Sequence, residues 1–334
     1  MKRNMTKWLK TLPDIKKAMP ILSFPSVALL NCTVRELISS ADMQAKGMYE
    51  VSKRCDSAAS VSLMDLSVEA EAFGAKIRFS DDEVPAVVGA LIEDENDIEN
   101  LTVPAVRSAR TGICIDAIKK AKELITDRPV FAGMIGPYSL AARLMDMQEL
   151  MMLGYDDEDA VHTLVDKCTQ FLINYAKAFK DAGADGIMMA EPVSGLLSPM
   201  LESEFSSPYV KKIIDAVQDD GFAVIYHNCG DNTPLMTESF VSMGACAYHF
   251  GNSIDLVDML KKYPSDVLVM GNVDPVSVLR MGTPDTVREK TRECLEKCAS
   301  YGNFVISSGC DMPPMTPWDN IDAFFDAVKE FYEG

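Results

Sequence analysis

Positive charge is what this chain is short of: 32 Lys and Arg stand against 50 Asp and Glu, a formal charge of -18 over 334 residues. Nucleic acids and anionic membrane surfaces attract the opposite balance, so both are excluded as main partners. No apolar run approaches the roughly 18 to 20 residues of a membrane span. Lys7, Lys10, Asp14, Lys16 and Lys17 interrupt the start before any signal-peptide core can form, so a cytoplasmic location is the expectation. A G-x-G-x-x-G turn behind an early strand is also missing, which argues against a dinucleotide-binding fold. Nine cysteines, an odd number spread along the chain, do not make a disulfide framework. In a reducing compartment such thiols serve as packing groups or metal ligands.

What is present is a rhythm. Short runs rich in β-branched residues, near Ile21, Val61, Phe131, Ile187, Val224, Ala247, Leu268 and Val305, alternate with segments of helical periodicity. Eight β/α units without an internal linker predict the α/β class, specifically a (β/α)8 TIM barrel occupying residues 1–334 as a single domain. A doubly wound open sheet is the alternative. Residues 1–18 read as a basic helical extension. The acidic stretch 76–101 reads as an insertion after the second strand, with a short extra strand at 76–79 and a solvated loop beyond it.

Barrels of this kind carry their chemistry at the C-terminal ends of the strands. Here those ends hold Glu191, then His227 and Cys229, then His249 and Asn252, then Asn272 and Asp274, and finally Cys310 and Asp311. The run Ala223–Tyr226 stops at His227-Asn228-Cys229-Gly230, and Phe304–Ser308 leads to Gly309-Cys310. His227, Cys229 and Cys310 form a Cys2His set whose fourth position is left for an exogenous group, the pattern of catalytic rather than structural zinc. Thiolates select zinc over magnesium or calcium. With two thiolates on the metal the site generates hydroxide poorly, yet it can still deprotonate and hold a thiol whose free pKa is ~8.5. Glu191 is a candidate for a displaceable fourth ligand, or a rim carboxylate that binds substrate or caps a turn. Asn252, Asn272 and Asp274 are candidates for contact with the cofactor. Cys294 and Cys298, four residues apart, read as one buried helix face.

Several motifs together resemble the uroporphyrinogen decarboxylase superfamily: Gly136-Pro137-Tyr138-Ser139-Leu140-Ala141, Glu191-Pro192, Leu197-Ser198-Pro199, His227-Asn228-Cys229-Gly230, Gly271-Asn272-Val273-Asp274-Pro275 and Gly309-Cys310-Asp311-Met312-Pro313-Pro314. The His-X-Cys pair with a distant Cys is similar to the branch of methylcobalamin:coenzyme M methyltransferases. That resemblance implies a zinc-dependent barrel that moves a methyl group between a corrinoid, carried by a small partner protein, and a thiol such as coenzyme M. It carries the zinc to His227, Cys229 and Cys310. Related enzymes run the opposite step and demethylate a methoxy or methylamine compound onto the corrinoid; His249 would then protonate a leaving group. Porphyrinogen decarboxylation is disfavoured, because the arginine-bearing N-terminal segment of the decarboxylases has no counterpart in Phe24-Pro25-Ser26-Val27-Ala28-Leu29-Leu30. A non-catalytic corrinoid- or metal-binding module is the remaining alternative.

Overall fold

A computed structural model describes residues 3–334. Seven parallel strands form one curled sheet: β1 (Ser60–Val61), β4 (Val130–Ile135), β5 (Gly186–Ala190), β6 (Ala223–Asn228), β7 (Ala247–Phe250), β8 (Leu268–Val273) and β9 (Phe304–Ser308), in that spatial order. Between β1 and β4 lies an antiparallel hairpin, β2 (Ile77–Arg78) with β3 (Ala86–Val87), followed by the short helix Glu95–Asn100. The insertion therefore carries more order than the solvated loop expected of it.

The eighth expected strand, near Ile21, is not a strand. Proline at 20 and again at 25 removes two ladder donors from a short segment. Residues 18–22 nevertheless fill the gap between β9 and β1. Met19 N–H donates to Ile306 O at 3.0 Å, Ile21 N–H to Ser308 Oγ at 3.1 Å, and Ala58 N–H to Ala18 O at 2.8 Å. The barrel is thus closed by an irregular stave.

The expected helix over 1–18 is broken in two, Met5–Lys10 and Leu12–Ile15, with Pro13 in the first turn of the second. Met1 and Lys2, where that helix was expected to begin, lie outside the described residues. Met5, Leu9 and Leu12 are buried against the barrel interior, so the extension acts as a plug.

Strand alternation sorts the side chains into two layers. Phe131, Met188, Ala190, Ala223, Ile225, Ala247, Leu268, Met270 and Val305 form the interior cluster. Ile187, Met189, Val224, Tyr226, Tyr248, Val269 and Ile306 pack outward against the helices. Among the latter is the long helix Glu158–Asp181, whose Asp157 side chain caps the first turn and whose apolar face runs from Val161 to Phe179. Among the described residues no helix is long and apolar enough to cross a membrane.

Candidate metal centre

His227 follows the inward set of β6, two residues beyond Ile225, and is 1% exposed. Register places His249 of β7 directly beside it. Their Nδ1 atoms are 2.8 Å apart. His249 Nε2 lies 2.7 Å from Ser307 Oγ on β9, and that hydroxyl donates to Met19 O at 2.9 Å.

This chain of contacts fixes the protons. Ser307 has one hydroxyl hydrogen, used on Met19 O, so it accepts from His249 Nε2–H. Burial, and then His227, hold His249 well below the usual histidine range, so its ring is neutral and its Nδ1 is an acceptor. His227 therefore donates through Nδ1–H, which leaves the Nε2 lone pair bare. That lone pair faces Cys310 Sγ at 3.6 Å.

The two thiols belong to loops that press together. Cys229 lies in the turn after β6, which Asn228 shapes: its Oδ1 accepts from Gly230 N–H at 3.0 Å and Thr233 Oγ1 at 2.8 Å, and its Nδ2 donates to Glu191 O at 2.8 Å. The loop after β7 lies so close that a Cβ on Gly251 would fall 2.4 Å from Cys229 Cβ, which only glycine allows. A Cβ on Gly309 would fall 2.8 Å from Asn252 N, so the Cys310 loop packs on the same neighbour. The thiols divide their proton unequally. A hydrogen bond from Cys310 holds Cys229 below its ordinary value, whereas that bond and then burial push Cys310 up to about 12. Burial, and then Cys310, raise the carboxyl of Asp311, next in the chain, well above its ordinary value, and its Oδ1 is buried without a partner. Among the described residues no group of three or more His, Cys, Asp or Glu side chains is placed so that it could hold a metal ion.

Glu191 does not join this cluster. Ala190 is an inward residue, so Glu191 turns outward, against the helix Pro137–Met145. Its Oε1 accepts from Ser139 N–H at 2.9 Å, and a Cβ on Gly136 would fall 1.6 Å from its Oε2. Burial pushes its carboxyl up to about 8, and Oε2 has no partner. Pleat parity thus turns Glu191 toward Ser139 rather than toward Cys310 in this structure. Asn252, Asn272 and Asp274 also stand apart, around a lateral cavity between the helices Leu256–Lys262 and Pro284–Cys298. Asn252 Nδ2 donates to Asp274 Oδ2 at 3.0 Å, and Asp274 Oδ1 caps Val276 and Ser277, each at 2.8 Å. Asn272 Nδ2 donates to Gly251 O at 2.9 Å and Ile254 O at 2.7 Å.

Sequence reasoning passed over Ser307, which completes the histidine relay, and Asn228, which shapes the ligand turn. Asn228 was visible, since Asn with a Gly two residues on marks a turn, whereas the partner of Ser307 needs the barrel to be closed. A third omission is the buried group behind β1, where Arg110 pairs with Asp65 and, at 2.6 Å, with Glu71.

A closed α/β barrel with His227 and Cys310 facing each other at the C-terminal strand ends defines the general class. The family model described as uroporphyrinogen decarboxylase (URO-D) matches residues 18–331, and the chain belongs to that family. Among its relatives is the methylcobamide:CoM methyltransferase MtbA of Methanosarcina acetivorans, 30% identical over 80% of this chain and 78% of that protein. A uroporphyrinogen decarboxylase of Hydrogenovibrio crunogenus is 27% identical over 90% of this chain and 84% of that protein. A solved methyltransferase structure from Methanosarcina mazei superposes with a TM-score of 0.87, at 24% identity, covering 99% of this chain and 100% of that one. That likeness carries the fold.

Proposed function

We propose that this protein is a zinc-dependent methyltransferase that moves a methyl group between a corrinoid and a thiol of the coenzyme M type. The observation that carries the reading is the bare Nε2 lone pair of His227, held toward Cys310 by the His249–Ser307–Met19 relay. Its separation from the sulfur is one that two ligands of a tetrahedral zinc also have. Ligands at about 2.0–2.1 Å (N) and about 2.3 Å (S) with a tetrahedral angle stand about 3.6 Å apart, and Cys310 Sγ and His227 Nε2 are 3.6 Å apart. His227, Cys229 and Cys310 would hold the ion, with Cys229 already the more acidic thiol of the pair. Bound zinc supplies the positive charge that keeps an incoming thiol as thiolate near neutral pH.

The chain's own residues do the rest. His249 acts through His227, fixing its tautomer and ring angle as an outer-shell partner does. Fully buried and engaged at both nitrogens, it is a positioning residue rather than the acid for a leaving group. The mouth is ringed by apolar side chains that face solvent: Met200, Leu235, Met281 and Met315 are 66%, 67%, 77% and 56% exposed. Met200 lies on the helix Pro199–Phe205 and Leu235 on the helical turn Thr233–Leu235, and the four belong to segments that follow β5, β6, β8 and β9. An apolar rim on an acidic protein suits a large, flat, partly apolar ligand such as a corrin presented by a small partner protein.

Decarboxylation of a porphyrinogen, the reaction in the family's name, lacks its anion receptor. The segment 24–30 carries no arginine, and Phe24 and Val27 are buried with Val34, Leu37 and Ile38.

Methylcobalamin mixed with the protein and a panel of thiols, coenzyme M included, tests the proposal through the cobalamin spectrum. Loss of the methylcobalamin bands with a methylated thiol as product is expected, together with one zinc per chain. Protein with well under one zinc per chain overturns the metal assignment. Methylation of cobalt(I) by a methoxy or N-methyl compound, with every thiol inert, replaces the thiol acceptor by a methylated substrate.

A further inference from the structure

Beside the barrel mouth lies a cleft of about 820 Å³, between the helix Pro199–Phe205, the first turn of the helix Ser207–Val217 and the segment 234–242 that continues from the Cys229 turn. Leu235 belongs to both openings, since it lines the cleft and stands among the exposed apolar residues of the mouth. Thr233, just before it, donates to the Asn228 Oδ1 that shapes the Cys229 turn, so cleft wall and ligand turn are one piece. Four serines line the cleft, and each uses its hydroxyl hydrogen within the protein. Ser203 Oγ donates to Met200 O at 2.8 Å, and Ser242 Oγ to Ser239 O at 2.7 Å. Ser239 Oγ donates to Ser207 Oγ at 2.7 Å, and Ser207 in turn donates to Glu202 Oε1.

A hydroxyl whose hydrogen is committed has only lone pairs left to offer. Glu202, at the end of the chain of serines, is 0% exposed, and its Oε2 has no partner among the described residues. The cleft therefore presents acceptors and calls for a ligand with N–H donors. An anion is opposed by Glu202 and by Glu238 on the cleft wall, and both lysines there are already engaged. Lys211 pairs with Asp215 at 3.0 Å; Lys262 pairs with Asp258 at 2.7 Å and donates to Pro234 O at 3.0 Å. Against a small cation stand the apolar walls of Pro199, Pro208, Pro234 and Leu235. A neutral donor on an apolar body meets both conditions, and a primary carboxamide brings two N–H groups on one nitrogen.

We propose that this cleft is a carboxamide subsite, which takes the amide-bearing edge of the corrin while the flat face of the macrocycle lies over the mouth. A corrin is apolar across its face and carries primary acetamide and propionamide groups around its edge. The two surfaces match along one line: the apolar rim at Met200 and Leu235 meets the face, and the serine lone pairs behind it meet the amide N–H groups. The cleft is of the size that small ligands fill. Because its wall continues into the Cys229 turn, the subsite fixes how the macrocycle is rotated over the metal centre. The choice of a corrin rests on the corrinoid reading given above; the acceptor lining does not.

Equilibrium dialysis of the full chain against methylcobalamin, with no thiol present, tests this beside the methylcobalamin monocarboxylic acids, in which one propionamide is hydrolysed to a carboxylate. One of these acids is expected to bind the wild type about tenfold more weakly than methylcobalamin, since it faces committed lone pairs with an anion instead of a donor. The double variant Ser239→Ala, Ser242→Ala is expected to bind methylcobalamin about fivefold more weakly for each hydroxyl lost, at the wild type's metal content. It should also discriminate less against that same acid, which is the coupling a direct contact produces. Ser242 is exposed, so Ser242→Ala alone carries the comparison if the double variant does not fold. Equal affinity for methylcobalamin and every acid overturns the proposal, as does a penalty of the same size in wild type and variant. Wild-type protein that retains no methylcobalamin overturns it as well. Coupling without any methylated thiol keeps the subsite and removes the thiol-transfer reading; a methylated thiol without coupling does the reverse.

Discussion

Two cysteine pairs, Cys229 with Cys310 and Cys294 with Cys298, share a proton pattern and differ in everything around it. In each, one thiol donates to the other, so that Cys229 and Cys294 are made more acidic while Cys310 and Cys298 are pushed up. Cys229 and Cys310 come from loops after different strands, and Cys310 faces the Nε2 of His227. Cys294 and Cys298 share one helix and face an amide and a lysine. A lone pair completes a ligand set, whereas an amide and an ammonium only stabilise an anion. The neighbours of a thiol, more than its acidity, decide whether it binds metal or reacts.

The comparison breaks most directly at Cys310. Cys310→Ala is expected to lose bound zinc and to lower thiol methylation by more than the ~100-fold that loss of an outer-shell partner costs. Cys294→Ala should leave zinc stoichiometry unchanged. Metal analysis of the two variants side by side reads both, and full zinc in Cys310→Ala would falsify the ligand set.

Next in size is the relay. Ser307→Ala leaves His249 Nε2–H without its acceptor, frees the tautomer of His227, and is expected to weaken zinc binding about 10- to 100-fold. Competition against a chelator measures it. Unchanged affinity would mean that the His227 lone pair needs no support from β9.

A smaller effect sharpens the contrast between bare and satisfied polar groups. Glu191, pushed up to about 8 in the fold, titrates near 4.5 when unfolded. Its raised folded value means that its contribution is fully present below about pH 4.5 and is lost as pH rises toward 8, at up to about 1.4 kcal/mol per pH unit. Glu191→Gln keeps the acceptor for Ser139 and removes the titration. Chemical denaturation of both proteins at pH 5.5 and 8 should show the variant losing less stability across that range. Parallel slopes would place the proton elsewhere, with Glu69, likewise pushed up to about 8, the first alternative.

Much of this was legible in the residues. The runs ending at His227 and Ser308 announced β6 and β9 through β-branched content, and the His-X-Cys pair with Cys310 stood at two strand ends. The hairpin strand at Ile77–Arg78 was legible too, but its partner at Ala86–Val87 was hidden in an acidic stretch with Pro85 beside it. Pro20–Phe24 misled because its apolar content resembles a strand while its prolines forbid the ladder. Glu191 was read as a fourth ligand or a rim carboxylate from its position at a strand end; its face follows from parity with Ala190. The relay was not legible at all, since His249 and Ser307 are 58 residues apart and meet across β8. The lateral cavity likewise needs the third dimension: Asn252, Asn272 and Asp274 share one rim with the metal centre but turn to its outside.

The irregular stave at residues 18–22 has a consequence for how the protein matures. The relay ends on Met19 O, 288 residues from the Ser307 hydroxyl that donates to it. Contacts between such distant parts of a chain pay their loop-closure entropy late in folding. Until the two ends of the polypeptide meet, His227 has no fixed tautomer and Cys310 no lone pair to face. A metal bound at the proposed site would then be acquired only after residues 18–22 have met β9.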